Sequence, residues 1–600
     1  MFTPLRLFVC LKQVPDTAEI SIDPVTGSLK REGVDSIISP FDMHALEEAV
    51  RIREEHGGTV TVISMGPPQA ADALAEAIAR GADNAYLITD RAFAGSDTWC
   101  TSLILSRAIE HLGGADLIFC GKQAIDGDTA QVGPGIAEHL GIPQIDSVNR
   151  VVALGKDKIT VQSLCGNGSD TIQSGLPLLI TAVKELNTPR QASLADWSRA
   201  LVSEIRTLDA ATLGFETSQV GLSGSPTRVR SIRTVAYSKK TVFLTGNTEE
   251  ICRQILDLLK IKKTISKIDY NVQRCAVNDA RLILVIGELD AEITALTREL
   301  LSIAAVLAAQ RCARVGVIFC GHQLNLPLNE IQADSVYLLD DQKLSIFDAR
   351  VHCSAIAQLC KSLQPEIILG GASFQGRALL PRISVKLRTG LTADCTELDL
   401  DEKGLLLQIR PALGGNILAT ITCERHKPQM ATVRAGVFKQ VNHFPGGCKP
   451  EILTPAVLIE EESGFRIIRH ESYSCPEKDS GLMISGGIGI GSREAFSGLK
   501  KLAEITGASL GASRAAVDAG WIEYRHQVGQ TGKTVQPEHY LSFGISGAVQ
   551  HLVGMQSAGI VISINKDPAA PIFSISDYAV VADCFPIMEI MLKMVAAEKL

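Results

Sequence analysis

The chain reads as an α/β protein: two related parallel-sheet halves followed by a third, glycine-rich α/β region. Three observations predict this. Short apolar, β-branched runs alternate with segments of helical periodicity along nearly all 600 residues, the pattern of strand–helix–strand units whose helices cover both sheet faces. The pattern then restarts at residues 281–287 (RLILVIG), with matching segments in the same order. ADLIFCGKQAIDGDTAQVGPGIAEHLG (115–141) aligns with PEIILGGASFQGRALLPRISVKLRTG (365–390), and GLPLLITAVKE (175–185) with HKPQMATVRAG (426–436), a diverged internal repeat. Finally, glycine becomes more frequent beyond residue 466.

Taken in order, residues 5–11 (LRLFVCL) form the first strand. From 42 to 55, Ala45, Ala49 and Ile52 recur among charges as a helical stripe. TVTVISM (59–65) is a strand, and the helix PQAADALAEAIARGA is stopped by Gly81. AYLIT, a helix across 97–111 and DLIFCG complete the first set; after RLILVIG a helical stretch runs to Gln310, with strands at 314–319 and 335–339. Pro134 and Pro381 are each expected in the opening turn of the helix after the aligned strands. Residues 205–275 contain the polar stretch SQVGLSGSPTRVRS and an amphipathic helix at 248–262, and read as an arm. The Pro-, Gly- and acid-containing stretch 437–464 marks a second boundary. The expected segments are therefore 1–204, the arm 205–275, 276–437, a hinge at 438–465, and 466–600.

Composition excludes several functions. With 46% apolar residues and mixed charge (58 basic, 66 acidic) the chain is expected to fold throughout, and no clustered basic footprint for nucleic acid is present. No run of 18 apolar residues provides a membrane-inserted helix. MFTPLRLFVCLKQVPD is a poor secretory signal, which points to the cytoplasm. The 15 cysteines show no CxxC or CxxxC spacing, and most lie in apolar runs. They are expected as free buried thiols, with no metal or iron–sulfur framework.

Two regions carry chemistry. The loop from Gly121 to Pro134 leaves a strand and enters a helix, the position where open α/β sheets bind nucleotides. Gly121, Gly127 and Gly133 allow close backbone approach, and Asp126, Asp128 and Thr129 either cap the helix or bond a ribose. Metal binding by the two aspartates lacks a third hard ligand. In the C-terminal third, strand GLMIS runs into GGIGIGS (486–492), an incomplete dinucleotide fingerprint. VGQTGKT (528–534) has Gln527 where a phosphate-binding Walker loop requires glycine. His551, in the apolar stretch 540–554, is either a satisfied core histidine or a site residue.

Longer motifs carry a resemblance. VCLKQVPD, SPFDMHALEEAVRI, GKQAIDGDTAQVGP and LITAVKELNTPR resemble the β subunit of electron transfer flavoproteins. SFQGRALLPRISVKLRTGLTADC, RPALGGN, PQMATVRAGVF, GASRAAVDAGW, QVGQTGK, GISGAVQHLVGM and INKDPAAPIFSISDYAVVAD resemble the α subunit. The resemblance covers nearly the whole chain, with the β-like half first. It implies two Rossmann-like domains of the adenine nucleotide alpha hydrolase kind and a C-terminal flavodoxin/DHS-like FAD-binding domain.

In that family the C-terminal α domain holds FAD. The resemblance carries this to Ser513 and Arg514, to Val528, Gly529, Gln530 and Thr531, to Ser546, Gly547, Ala548, Val549, Gln550 and His551, to Asn565, and to Asp583 with Cys584. It makes Arg514 the cation near flavin N5, Thr531 a partner of N5, and His551 a partner of N1 and the C2 oxygen, where donors raise the potential. Ile488 stands where the family has an arginine in the Gly-rich loop, which leaves the backbone amides of 486–491 to meet the diphosphate.

The β-like half is expected to hold a second nucleotide through Cys10, Ser39, Pro40, Phe41, Asp42 and Met65. The loop adds Gly121, Lys122, Gln123, Ala124, Ile125 and Asp126, then Gly127, Asp128, Thr129, Ala130, Gln131 and Val132. In conventional carriers this ligand is AMP; in electron-bifurcating members it is a second FAD, reduced by NADH. DGDTAQVGP resembles the bifurcating form, and small Gly127 and Ala130 leave more room. The implied partners are an acyl-CoA dehydrogenase, docking on a loop leucine matched by Leu186, and a low-potential acceptor such as ferredoxin or flavodoxin. The C-terminal domain is expected to swivel on the 205–275 and 437–464 segments. Two alternatives stay open: a conventional carrier with one FAD and AMP that serves a quinone oxidoreductase, and a non-redox adenine-nucleotide-binding protein.

Overall fold

The computed structural model describes residues 4–15, 21–22, 29–30, 36–166, 168–234, 239–260, 281–290, 292–327, 331–412, 417–438, 450–472, 481–529 and 532–598. Two compact units result: Met1–Arg233 with Tyr270–Leu413 and Leu418–Tyr473, and Thr234–Asp269 with Gly414–Ile417 and Ser474–Leu600.

In the first unit a seven-strand order is repeated in two sheets. One sheet runs Ile205–Leu208, Asn84–Ile88, Thr59–Met65, Arg6–Cys10, Leu117–Gly121, Leu178–Ala182, Gln144–Leu154; the other runs Glu451–Leu453, Ser335–Asp340, Arg314–Gly321, Leu282–Ile286, Ile367–Gly371, Gln429–Val433, Leu391–Cys395. These neighbours are parallel throughout. Such strands are covered on both faces and so read as continuous apolar runs, as in LFVC and LIFC.

Each half also lends the other a strand. Phe465–Ser472, from the end of the α-like half, pairs with Gly168–Gly175 and becomes the tenth strand of the β-like sheet. Arg228–Thr234, from the arm, joins the four-stranded sheet of Ile417–Thr422, Leu406–Ala412 and Glu397–Leu400. The halves meet through the helices Val132–His139 and Phe374–Lys386. There the fully buried Arg382 is 2.8 Å from Glu138 and donates to Gln144 Oε1 at 3.0 Å.

One expectation fails at this junction. Pro134 lies in the opening turn of its helix, but Pro381 lies inside Phe374–Lys386. Ser373 accepts from Gly376 N and starts that helix directly after its strand; in the β-like half the same stretch of chain is the long loop 122–131. The arm 205–275 is not a free linker where it is described. Ile205–Leu208 extends the first sheet, Val242–Phe243 joins the C-terminal sheet, and Thr248–Leu259 buries Ile251, Cys252, Ile255 and Leu256 in the second unit's core.

The second unit has a parallel six-stranded sheet in the order Val242–Phe243, Tyr578–Val581, Ile560–Asn565, His539–Phe543, Leu482–Gly486, Ser509–Ala512. Leaving out the strand from the arm, this is the flavodoxin order 2-1-3-4-5. No helix among the described residues is long and apolar enough to cross a membrane.

Candidate functional site

The strand order of the second unit reverses between Leu482–Gly486 and His539–Phe543, and open α/β sheets bind ligands in the crevice at such a point. The two loops leaving it touch backbone to backbone: Gly487 N donates to the Phe543 carbonyl at 2.8 Å and Gly489 N to the Gly544 carbonyl at 3.0 Å. A Cβ at Gly487 would lie 2.2 Å from the Gly544 oxygen, so only glycine permits this approach. Gly547 (φ 89°) is similarly confined, its missing Cβ 2.1 Å from Ile572 N. Gly491, at the lip, has open space where its side chain would be.

The residues expected here gather at the carboxyl ends of these strands. Ser513 precedes the short helix Arg514–Asp518, and its N–H donates to the Gly486 carbonyl. Arg514 is exposed, its Nε 3.2 Å from Asp518. Val528 is buried and bonds Ala512 O, while Gly529 (φ 139°) closes under the Gln550 carbonyl. Ser546 and Ala548 are exposed, and Val549 and Gln550 half-buried. Asn565 ties the loops, donating to Ile545 O at 2.9 Å and accepting from Asp567 N. Asp583 accepts from Phe585 N, and Cys584 is buried against Ile564 O. Ile488 is 48% exposed, with no cation in its place. Gln530 and Thr531 lie outside the described residues.

His551 is buried, and burial lowers its pKa to about 4, so it is neutral. Its Nε2 lies 2.9 Å from the Tyr540 hydroxyl. Nδ1 has no partner of hydrogen-bonding geometry among the described residues, although the Val528 backbone lies near enough to favour the protonated ring. The satisfied-core alternative is thus half met.

In the β-like half the strand order reverses between Arg6–Cys10 and Leu117–Gly121, where Cys10 and Cys120 are register neighbours. Asp42 pins the two loops together, accepting from Lys12 N and Gly121 N, each at 2.8 Å. Burial raises its pKa to about 7 against those bonds. Ser39 Oγ, at the start of Pro40–His56, is buried with no partner among the described residues; Phe41 is buried and Met65 half-buried.

In the loop itself the glycines differ in their surroundings, and the capping alternative is not met. Only Gly127 faces open space: a Cβ at Gly121 would strike Asp42 and Phe41, and one at Gly133 would press on Thr181. Nor do Asp126, Asp128 or Thr129 cap the helix, whose N-cap is Gln131 without a side-chain bond. Instead Asp126 holds its own Gly127 N and Lys12 Nζ, and Asp128 accepts from Gln123 Nε2 at 3.1 Å. Asp128 (φ 48°) and Ala130 (φ 54°) are left-handed, which costs about 1–2 kcal/mol per non-glycine residue. Lys122 Nζ lies 4.5 Å over the Phe374 ring, and burial lowers its pKa to about 8.

Sequence reasoning missed the other wall of this loop. Arg377 reaches Gln123 Oε1 at 3.4 Å, and Gln131 Nε2 donates to Leu391 O. Beyond them Asp394 pairs with Arg434 (Nε to Oδ1, 3.1 Å) and Arg377. Burial pushes Asp394 up, but these guanidiniums outweigh it and hold it below the usual carboxylate range. Buried Asp128 is raised to about 7 despite Arg410. Arg410 is itself buried, and its Nε and Nη2 have no partner among the described residues. The signal in the sequence was an arginine inside a largely apolar strand, LLQIRPA.

Comparison with known proteins identifies the family and the domain that binds FAD. The electron transfer flavoprotein domain matches residues 26–213 and again 282–457, and the electron transfer flavoprotein FAD-binding domain matches 478–556. The chain belongs to the electron transfer flavoprotein family. It is similar to both subunits from Thermoanaerobacterium thermosaccharolyticum. Subunit alpha is 45% identical over 301 residues (49% of this chain, 91% of the relative), and subunit beta 50% identical over 262 (44% and 100%). Protein FixB of Clostridium saccharobutylicum is 44% identical over 259 residues (43% and 78%). A β-like and an α-like part are therefore joined in one electron transfer flavoprotein, with the FAD-binding domain in the second unit.

The second-unit crevice fits FAD on its own structure. Gly487, Gly489 and Gly547 let the loop backbones close on one another, Gly491 faces open space at the lip, and a buried imidazole nitrogen is left without a hydrogen-bond partner among the described residues. The leucine expected to dock a partner lies in a turn. Leu186 is half-buried and packs on the first core, where the turn Lys184–Leu186 lies against Pro40–His56. A nearby exposed leucine is Leu194, 88% exposed, on Leu194–Val202 with Leu201 at 78% and Val202 at 85%.

Proposed function

We propose that this electron transfer flavoprotein carries two flavins and performs electron bifurcation. The chain takes electrons from NADH at the β-like crevice. It passes one through the C-terminal unit toward an acyl-CoA dehydrogenase and the other to a low-potential carrier such as ferredoxin or flavodoxin. The observation carrying this reading is the buried Arg410, whose orphan N–H groups extend the polar site from the 121–132 loop onto the α-like half. AMP needs only the loop; a longer flavin nucleotide makes use of both walls.

A bound flavin supplies one- and two-electron chemistry; the chain positions and tunes it. In the second unit, Ser513, Val528, Gly529 and the segment 546–551 hold FAD, with Asn565, Asp583 and Cys584 behind them. Arg514 offers a permanent cation and His551 a neutral hydrogen-bond donor. The matching positions Gln530 and Thr531 complete the set. In the β-like half, Asp42 fixes the distance between the two loops, and Gly127 leaves the lip clear. The dehydrogenase docks on the apolar face of Leu194, Leu201 and Val202, since exposed aliphatics along one short helix mark an interaction surface. Flavin and AMP content of the purified chain tests the reading. Two flavins without AMP support it, and one flavin with AMP identifies the conventional carrier instead.

A further inference from the structure

We infer that Cys165, Asp170 and His470 form a zinc site on the outer strands of the ten-stranded sheet. The three donors come from three adjacent antiparallel strands, Lys158–Cys165, Gly168–Gly175 and Phe465–Ser472. One sulfur, one carboxylate oxygen and one imidazole nitrogen lie within 4.8 Å of one another. Asp170 and His470 are direct register partners, and Cys165 sits at the hairpin tip opposite Gly168. Glycine is needed there: a Cβ at Gly168 would lie 2.4 Å from the Glu471 oxygen and 3.3 Å from His470 Cε1, holding the third strand away.

The second sphere is in place. His470 Nδ1 is 2.6 Å from Asp170 Oδ1, and Nε2 is 3.0 Å from Ser472 Oγ. An Nδ1 ligand whose Nε2–H donates to a fixed oxygen is the usual way a metal-binding histidine is oriented. The Cys165 thiol lies against the same carboxylate, with Asp290 adding negative charge nearby. A mixed S, N, O set favours zinc over calcium or magnesium. Zinc–ligand bonds of roughly 2.0–2.3 Å place tetrahedral ligand atoms about 3.5 Å apart, within reach by small side-chain rotations, and water takes the fourth position. On binding, the thiol proton leaves to solvent and nothing is oxidised. The ion would fasten the strand that the α-like half lends to the β-like sheet, at the last described element before the chain crosses to the second unit. Spacing alone could not reveal it, because the ligands are residues 165, 170 and 470.

The test uses the full flavin-loaded chain, stripped with a chelator and titrated with Zn2+ or Co2+. The expected result is one metal per chain, with tetrahedral cobalt bands at red wavelengths where flavin does not absorb, and a zinc-dependent rise in thermal midpoint. Cys165→Ser and His470→Ala abolish the bands and the rise, Ser472→Ala weakens affinity about 10–100-fold, and Cys320→Ser changes neither. Absence of bands in the parent chain, or bands indifferent to Cys165→Ser, overturns the site.

Discussion

The Tyr540 hydroxyl meets His551 Nε2 at 2.9 Å, with both side chains buried in the C-terminal unit. Burial pushes the phenol pKa up and the imidazole pKa down to about 4, so at neutral pH the phenol keeps its proton and the ring is uncharged. A phenol donating to Nε2 leaves the ring proton on Nδ1, the nitrogen without a hydrogen-bond partner among the described residues. Tyr540→Phe should therefore cost about 1–3 kcal/mol of stability, the penalty of a stranded buried acceptor. It should also mix the two tautomers in the 15N spectrum of His551. An unchanged spectrum contradicts the assignment.

Arg514 behaves differently because its charged contact among the described residues is the exposed Asp518 one helical turn on. Arg514→Ala should change stability by less than about 1 kcal/mol yet lower the midpoint potential of the flavin in this unit. A redox titration with an unchanged midpoint removes Arg514 from the tuning role.

The pH dependence of the β-like crevice has a definite sign. Asp128 is raised to about 7 chiefly by burial, so between its unfolded value near 4 and pH 7 the folded chain binds the extra proton. Stability then falls as pH rises through that window and levels off above it. Asp128→Asn keeps an acceptor for Gln123 without the charge. It should be more stable than the parent by about 1–4 kcal/mol at pH 8, with the difference vanishing near pH 4. Thermal midpoints of both chains against pH decide this; parallel curves contradict it.

Two leucines separate docking from folding. Leu194→Ala removes an exposed side chain and should leave stability within about 0.5 kcal/mol, while weakening electron delivery to the dehydrogenase about tenfold or more. Leu186→Ala, which trims a side chain packed on the core, should lower the thermal midpoint and spare docking. The reverse pattern restores Leu186 as the anchor.

Much of this was legible in the sequence. Alternation and the repeated segments indicate two related parallel-sheet halves, for which parallel crossovers leave few topologies, and the motifs place both crevices at strand ends. What stayed hidden depends on long-range packing. Pro381 fell inside a helix because Ser373 caps early. Gly121 is spent on Asp42 rather than a ligand, and Leu186 is covered by a helix more than a hundred residues earlier. Arg377, Arg410 and Arg434 meet the 121–132 loop only once the two halves fold together, and no spacing rule relates them.

The central claim is that one chain holds two flavins, one in each crevice. Anaerobic titration of the purified protein with NADH, calibrated by flavin released per chain, tests it most directly. The account predicts two flavins per chain and bleaching by NADH alone, with Arg410→Ala losing one of the two. One flavin per chain, accompanied by AMP and inert to NADH, would contradict it.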